Sequence, residues 1–249
     1  MGAMRPAPNL IASSPGTPPS VWRASNQLQQ LPRISREELL SPASRLVVVA
    51  PHPDDEVLGC GGLLASLGGD TNSVVLVSVT DGEASHPDSW TPGALRQTRI
   101  SESRAALARL APRFSQWEWH RLHLPDGAVQ VTELCDRLRP LLRPDDCLIS
   151  TWRQDGHCDH EQVGLACAQL AAECGAQHCE VPIWAWHWAY PGDPRLPWTA
   201  AHRLDLSDEA LRRKRAAIEA HASQLQGPAP VLSSRLLQTL LQPFEVYFL

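Results

Sequence analysis

The segment Arg45-Leu-Val-Val-Val-Ala-Pro-His-Pro-Asp-Asp-Glu-Val-Leu-Gly-Cys-Gly-Gly62 changes character halfway along. Five apolar residues, Leu46 to Ala50, run unbroken and stop at Pro51. A short run that is β-branched in the middle and bounded by a proline reads as a strand buried on both faces. His52, Asp54, Asp55 and Glu56 follow at once, four side chains able to bind a metal or move a proton. Behind them Val57, Leu58, Leu63, Leu64 and Leu67 supply the apolar stripe of a helix. Ligands of parallel α/β sheets bind beyond the carboxyl ends of strands. The acids therefore stand where an active site belongs.

Outward from this segment, strands and helices alternate. Residues 73–80 form a second buried strand that ends in the polar turn Thr80-Asp-Gly-Glu83. A loop with Pro87 and Pro92 leads to a long helix over about 93–111. A strand at 117–124 ends at Pro125-Asp-Gly127, followed by a helix at about 131–142 and a strand at 146–151. Asp155-Gly-His-Cys-Asp-His-Glu161 then opens a helix to about residue 174. Residues 181–189, very rich in Trp, read as a strand, and 202–206 as another. Helices over 208–224 and about 232–241 precede an apolar tail at 244–249. This order predicts an α/β, Rossmann-like fold, a mainly parallel sheet with helices on both faces. Residues 1–42, rich in Pro, Ser, Ala and Asn, read as an extended or partly ordered arm pinned by Trp22, and 43–249 as one domain. Met1-Gly-Ala-Met4 fits a natural start at Met4. No internal repeat is present.

A net charge of -5 gives no reason to expect nucleic-acid binding, which usually needs a basic face. No apolar run approaches the roughly 18 residues of a membrane span. The N-terminus lacks the ordered charged, apolar and cleavage regions of a secretory signal. Seven cysteines, an odd count without a Cys-x-x-Cys pair, argue for reduced thiols rather than disulfides or a thiolate zinc site. A cytoplasmic protein is expected.

His52 and Asp55 are three apart at one strand-to-loop turn, and His157 and His160 are three apart at another. Residues three apart at a helix start can face the same way, so each pair can converge on one point. Two neutral imidazoles and one carboxylate are a common set around catalytic zinc. The same ligands admit other divalent ions such as Fe2+.

Pro51-His-Pro-Asp-Asp-Glu56 after a hydrophobic strand, with His157-Cys-Asp-His160 about a hundred residues on, resembles the PIG-L (LmbE-like) zinc deacetylases. The likeness extends to Thr80-Asp-Gly-Glu83, Arg99-Ile-Ser-Glu102, Leu124-Pro-Asp-Gly127 and Lys214 through His221-Ala-Ser-Gln224, covering about residues 43 to 249. The resemblance implies a metal held by His52, Asp55 and His160. Asp54 would be the general base, and His157 would stabilise the oxyanion or assist as an acid. Asp159 would orient His157 or cap the helix that starts there. Glu83, Arg99 and Asp126 would line the sugar pocket. The implied reaction removes acetyl groups from N-acetylglucosamine-containing conjugates and related amides, so the partner is a small N-acetylated sugar conjugate. Two departures stand out: Cys158 replaces the usual proline, and Asp155 stands where some members have tyrosine.

Other readings of the same residues remain open at this level. Asp54, Asp55 and Glu56 suit any helix N-terminus. Arg99 and Glu102 could pair within their helix. His187 suits packing or a pocket, and His221 a hydrogen-bonding place on its helix or a supporting place near the site. Gly59, Gly61 and Gly62 lack the Gly-x-Gly-x-x-Gly spacing of a dinucleotide loop. The tryptophans of 184–188 could stack on sugar, fill the core or pair subunits in a homo-oligomer. A non-sugar N-acyl substrate, or a catalytically silent sugar- or nucleotide-binding module, is the alternative to a sugar deacetylase.

Overall fold

The computed structural model describes residues 10–67, 73–86, 88–227 and 230–249. The expected start at Met4 and Pro87 of the expected loop lie outside these residues. In chain order the elements are α1 (Leu10–Ser13), α2 (Pro19–Arg23), α3 (Asn26–Gln29), α4 (Arg36–Leu39), β1 (Arg45–Ala50), α5 (Asp55–Ser66) and β2 (Val74–Thr80). Then come α6 (Pro92–Leu110), β3 (Glu118–Leu124), α7 (Val131–Leu138), β4 (Asp146–Thr151) and α8 (Cys158–Cys174). The chain closes with β5 (Gln177–Val181), α9 (Ala185–Trp188), β6 (Ala201–Asp205), α10 (Asp208–Ile218), α11 (Ala222–Leu225), α12 (Ser234–Leu240) and β7 (Phe244–Phe248).

Seven strands make one sheet in the order β3-β2-β1-β4-β5-β7-β6. The first five pair in parallel, and β7 runs antiparallel to both β5 and β6. The mainly parallel α/β fold expected from the sequence is the one observed. Strands β1, β2 and β4 are buried at every position, as strands covered on both faces must be. Their alternation divides the interior in two. Leu46, Val48 and Leu76 face a cluster with Leu58, Leu63, Leu107 and Leu110 of α5 and α6. Val47, Val49, Val75 and Val77 face Leu134, Leu138, Val163 and Cys167 of α7 and α8. The chain runs outward from β1 through β2 to β3, then returns to place β4 on the other side of β1. Strand order therefore reverses between β1 and β4, and the crevice at their carboxyl ends is where such sheets bind ligands.

Residues 10–40 pack onto the domain. Trp22, Leu28, Leu31 and Leu39 belong to the same apolar cluster as the α5 face of the sheet. The Trp22 ring meets Trp186 edge-on at 4.9 Å, and its Nε1 donates to the Trp186 carbonyl at 3.0 Å. A Cβ on Gly16 would lie 2.8 Å from the His187 ring, so this close approach needs glycine. His187 completes the tether, with Nε2 3.1 Å from the Ser14 carbonyl.

Several expected boundaries move for identifiable reasons. The Trp-rich segment 181–189 is not a strand: β5 ends at Val181, and α9 follows. Pro182 has no N–H for a ladder, and the next three, of Ile183, Trp184 and Ala185, all donate to the Asp155 carboxylate. Most of the tryptophans there are core, since Trp186 and Trp188 are buried and Trp152 stacks on Trp188 at 6.3 Å. The tail at 244–249 is strand β7, and the helix expected over 208–224 breaks between α10 and α11.

Helix α5 is itself kinked at Cys60, with φ -134 and ψ 23. Past the kink, the N–H groups of Gly62 and Leu63 donate to the Glu245 carboxylate at 2.6 and 3.0 Å. Glu245 also accepts from Lys214 Nζ at 2.8 Å and the Tyr247 hydroxyl at 2.9 Å, all buried. The seven cysteines are free, and no helix among the described residues is long and apolar enough to cross a membrane.

Candidate metal centre

Two turns meet at the switch point, one after β1 and one after β4. In the first, Thr80 of β2 fastens the Pro51 carbonyl through its N–H at 3.0 Å and its hydroxyl at 2.9 Å. Asp54 takes φ 141, which costs a non-glycine residue about 1–3 kcal/mol and persists only under restraint. Arg99 of α6 supplies the restraint, donating through Nη2 to the Pro53 carbonyl at 2.8 Å and to Asp54 Oδ2 at 3.1 Å. Its Nη1 donates to the Gly82 carbonyl at 3.0 Å, and that close approach leaves no room for a Cβ on Gly82. The second turn is regular: His157 is the N-cap of α8, its Nδ1 accepting the Asp159 N–H at 3.3 Å.

Three donor atoms converge between these turns. Asp55 Oδ2 lies 3.1 Å from His52 Nδ1 and 3.3 Å from His160 Nε2. Ligands of a tetrahedral zinc, each about 2.0–2.1 Å from the metal, stand about 3.3 Å apart. The outward nitrogens of both rings are held by carboxylates. His52 Nε2 is 3.0 Å from Asp159 Oδ2 and 3.1 Å from Asp126 Oδ1, and His160 Nδ1 is 2.8 Å from Asp155 Oδ2. Such partners fix the tautomer and raise the basicity of a metal-binding imidazole. His160 is fully buried, yet its Nε2 has no hydrogen-bond partner. The donor set fits a divalent cation.

The electrostatics ask for the same charge. Burial alone would push His52 down, but Asp126, Asp159 and Asp55 outweigh it and hold it well above the usual histidine range. His160 is likewise raised to about 9, with Asp55 and Asp155 overcoming burial. Four carboxylates and two imidazoles in one buried space favour a positive charge there. Burial pushes Asp54 up to about 7, with Arg99 opposing and Asp55 adding to the rise. Burial, with His160 and His52 beside it, lowers His157 to about 3, so this ring is neutral. Since Nδ1 accepts from the Asp159 N–H, the ring proton is assigned to Nε2.

A cavity of about 300 Å³ opens onto this centre. His52, Asp54, Asp55, Arg99, Asp126 and His157 belong to its polar lining, and Leu58, Ile183, Trp184, Val231 and Leu232 to its apolar lining. Of the residues expected at the site, His52, Asp54, Asp55, Arg99, Asp126, His157 and His160 come together. Glu83 stands behind: it is not a wall of the cavity, and its Oε1 accepts the Asp126 N–H at 3.4 Å and pairs with Arg96 at 3.5 Å.

Asp159 differs from both expectations. Its carboxylate takes His52 and the N–H groups of Gly127 and Val129, at 2.7 and 3.1 Å, rather than orienting His157. The cap of α8 is His157 itself. Arg99 and Glu102 do not pair, because Glu102 is taken by Ser223. His221 is fully buried and neither ring nitrogen is hydrogen-bonded, unlike the hydrogen-bonding role expected of it. Gly59 and Gly62 make room for Val181 and Leu206, a packing need and not a phosphate cradle.

One participant, Asp155, had no role in the sequence expectations, and another, Glu56, was singled out as an acid without being given a place. Asp155 registered only as a substitution, though an acid two residues before the histidine pair was a signal for a ring partner. Glu56, nearly fully buried and pushed up to about 8 mainly by burial, accepts the Asp54 N–H at 3.2 Å.

Residues 47–171 match the family described as PIG-L: GlcNAc-PI de-N-acetylase. No curated protein sequence matches the chain. The N,N'-diacetylchitobiose deacetylase of Pyrococcus horikoshii shares the fold with a TM-score of 0.58 at 21% identity, over 73% of this chain and 70% of that one. The conserved protein TT1542 of Thermus thermophilus gives 0.54 at 25% identity, over 74% and 82%. The zinc-inhibited form of teicoplanin deacetylase Orf2 gives 0.57 at 21% identity, over 73% and 85%. The family match takes in half of the chain and both turns of the site. This chain belongs to the PIG-L, GlcNAc-PI de-N-acetylase, family of deacetylases.

Proposed function

We propose that the chain is a zinc-dependent hydrolase that removes the acetyl group from an N-acetylglucosamine-type sugar conjugate. The observation that carries this reading is the convergence of His52 Nδ1, Asp55 Oδ2 and His160 Nε2, with both outer ring nitrogens held by carboxylates. A divalent ion held by these three would polarise an amide carbonyl and lower the pKa of water towards about 7. Asp54, restrained by Arg99, takes the proton of the attacking water and returns it to the departing amine. Neutral His157 donates from Nε2 to the oxygen that gains charge, and losing one such donor typically costs about 10²–10³ in rate. Arg99 and Asp126 face the sugar from the polar lining. Seven free thiols support a reducing, cytoplasmic setting.

The test is acetate release from a panel of N-acetylglucosaminides by the metal-loaded protein and by Asp54→Ala, with bound metal measured in both. Release that vanishes in a variant still holding its metal is the expected result. Asp54→Ala working at the wild-type rate would remove Asp54 from the chemistry, and no release from any glucosaminide would remove the sugar. In that event an N-acyl compound without a sugar, cleaved by the same groups, is the second reading. The apolar lining of Leu58, Ile183, Trp184, Val231 and Leu232 favours it.

A further inference from the structure

Gln224 of α11 is among the residues lining the same cavity as His52, Asp54 and His157, and it is fully buried. Its Nε2 donates to Ser223 Oγ at 2.9 Å and to Ser85 Oγ at 3.4 Å, while its Oε1 has no hydrogen-bond partner. An amide of this kind can usually be turned over to suit its neighbours. Here it cannot. Ser223 donates its backbone N–H and its hydroxyl to the two oxygens of Glu102, each at 2.7 Å. A hydroxyl carries one proton, so Ser223 Oγ is left only to accept. Turning the amide would set two acceptors 2.9 Å apart with no proton between them. Glu102, on α6, thus dictates the polarity of a side chain in the cavity wall.

Bare polar atoms gather around that wall. His221, three residues earlier, is fully buried with neither ring nitrogen bonded, and Arg99 Nε is also without a partner. Buried polar atoms without partners are costly, and native proteins keep few of them. A fixed, bare acceptor on a buried residue of the cavity wall has the chemistry to receive a donor from a bound molecule that reaches it.

We propose that Gln224 Oε1 accepts a hydrogen bond from a hydroxyl of the substrate, and that Ser223 and Glu102 fix its polarity for that purpose. The proposal rests on the deacetylase reading above and deepens it. A sugar ring presents hydroxyl donors beside its N-acetyl group, whereas an apolar N-acyl compound leaves the acceptor bare. Gln224 therefore selects hydroxylated amides over their deoxygenated counterparts.

The experiment measures kcat/KM for acetate release from an N-acetylglucosaminide, its single-deoxy analogues and N-acetylcyclohexylamine. Metal-loaded wild type, Gln224→Met and Ser223→Ala are compared. Wild type is expected to disfavour one deoxy analogue by about tenfold to a hundredfold, since a site built for a hydroxyl rejects the analogue that lacks it. Gln224→Met, similar in length but without the acceptor, brings that ratio close to one. Ser223→Ala frees the amide to turn and lowers the ratio in the same direction, which keeps the test alive if Gln224→Met fails to fold. Variants that slow every substrate by one common factor, or that leave the ratio unchanged, overturn the proposal and leave the deacetylase reading standing. A wild type that releases no acetate from any of these amides overturns both.

Discussion

The turn after β1 and the turn after β4 each deliver a histidine to the same point, by opposite means. The first is strained at Asp54 and relies on distant supports: Thr80 on the Pro51 carbonyl, Arg99 on Pro53 and Asp54, and two carboxylates, Asp126 and Asp159, on His52. The second is an ordinary helix start, and its histidine leans on a single carboxylate from the same turn, Asp155. Redundancy thus sits with the strained turn and is missing from the relaxed one. Strain is useful where Asp54 must face the cavity beside a neighbour that faces His52 and His160, since adjacent residues of a relaxed helix start could not share one focus.

A metal ion held between the two turns would stabilise both at once. Exhaustive chelation is expected to abolish acetate release and to lower the melting temperature, because an ion bound at a thousand times its dissociation constant stabilises by about 4 kcal/mol. Readdition of zinc restores both, and a chelated protein with full activity would end the metal reading.

The next largest effect separates the two turns. Asp155 accepts His160 Nδ1 and the N–H groups of Ile183, Trp184 and Ala185. In Asp155→Asn one amide NH₂ must face two of these donors, at a cost of about 2–5 kcal/mol of stability. Loss of a carboxylate partner behind a metal-binding histidine also weakens metal about 10–100-fold. Asp159→Asn should weaken metal less, because Asp126 still reaches His52 at 3.1 Å. Denaturant titrations and metal competition on the two variants would show it, and equal losses would dissolve the contrast between the turns. A smaller change belongs to the first turn alone. Arg99→Met should leave metal bound but cut kcat by roughly 10–100-fold through the untethering of Asp54. A fall in metal affinity that matched Asp155→Asn would instead make Arg99 a general prop of the site.

What the sequence told about these turns follows from the range of the forces that shape them. The run Leu46–Ala50 declared a strand covered on both faces because every residue in it is apolar, and the two clusters behind β1 bear that out. The histidine pairs were legible because strand ends and helix starts are local features. Asp159 misled because adjacency along the chain suggested His157, whereas its carboxylate reaches across to a histidine 107 residues away. The Trp-rich stretch looked like a strand because an apolar run carries no period of its own. Its backbone donors were claimed by Asp155, a tertiary event. The kink in α5 had no proline to announce it, and its partner Glu245 lies 183 residues from Gly62.

The last predicted effect shows only away from neutral pH and concerns the buried histidine behind the first turn. His221 is held neutral by burial first and then by Arg99, lowered to about 3, with Arg109 acting in the same direction and Asp55 against it. An unfolded histidine titrates near 6.5. Above that pH neither state is protonated, and the residue adds no pH dependence. As pH falls from about 6.5 towards 3 only the unfolded chain takes the proton, so folding stability drains away by up to about 1.4 kcal/mol per pH unit. His221→Leu removes this proton and should flatten the acid limb by about that slope. The readout is denaturant unfolding of both proteins at several pH values between 4 and 7. Parallel curves would mean that His221 finds a proton-sharing partner in solution and does not shape the acid limb.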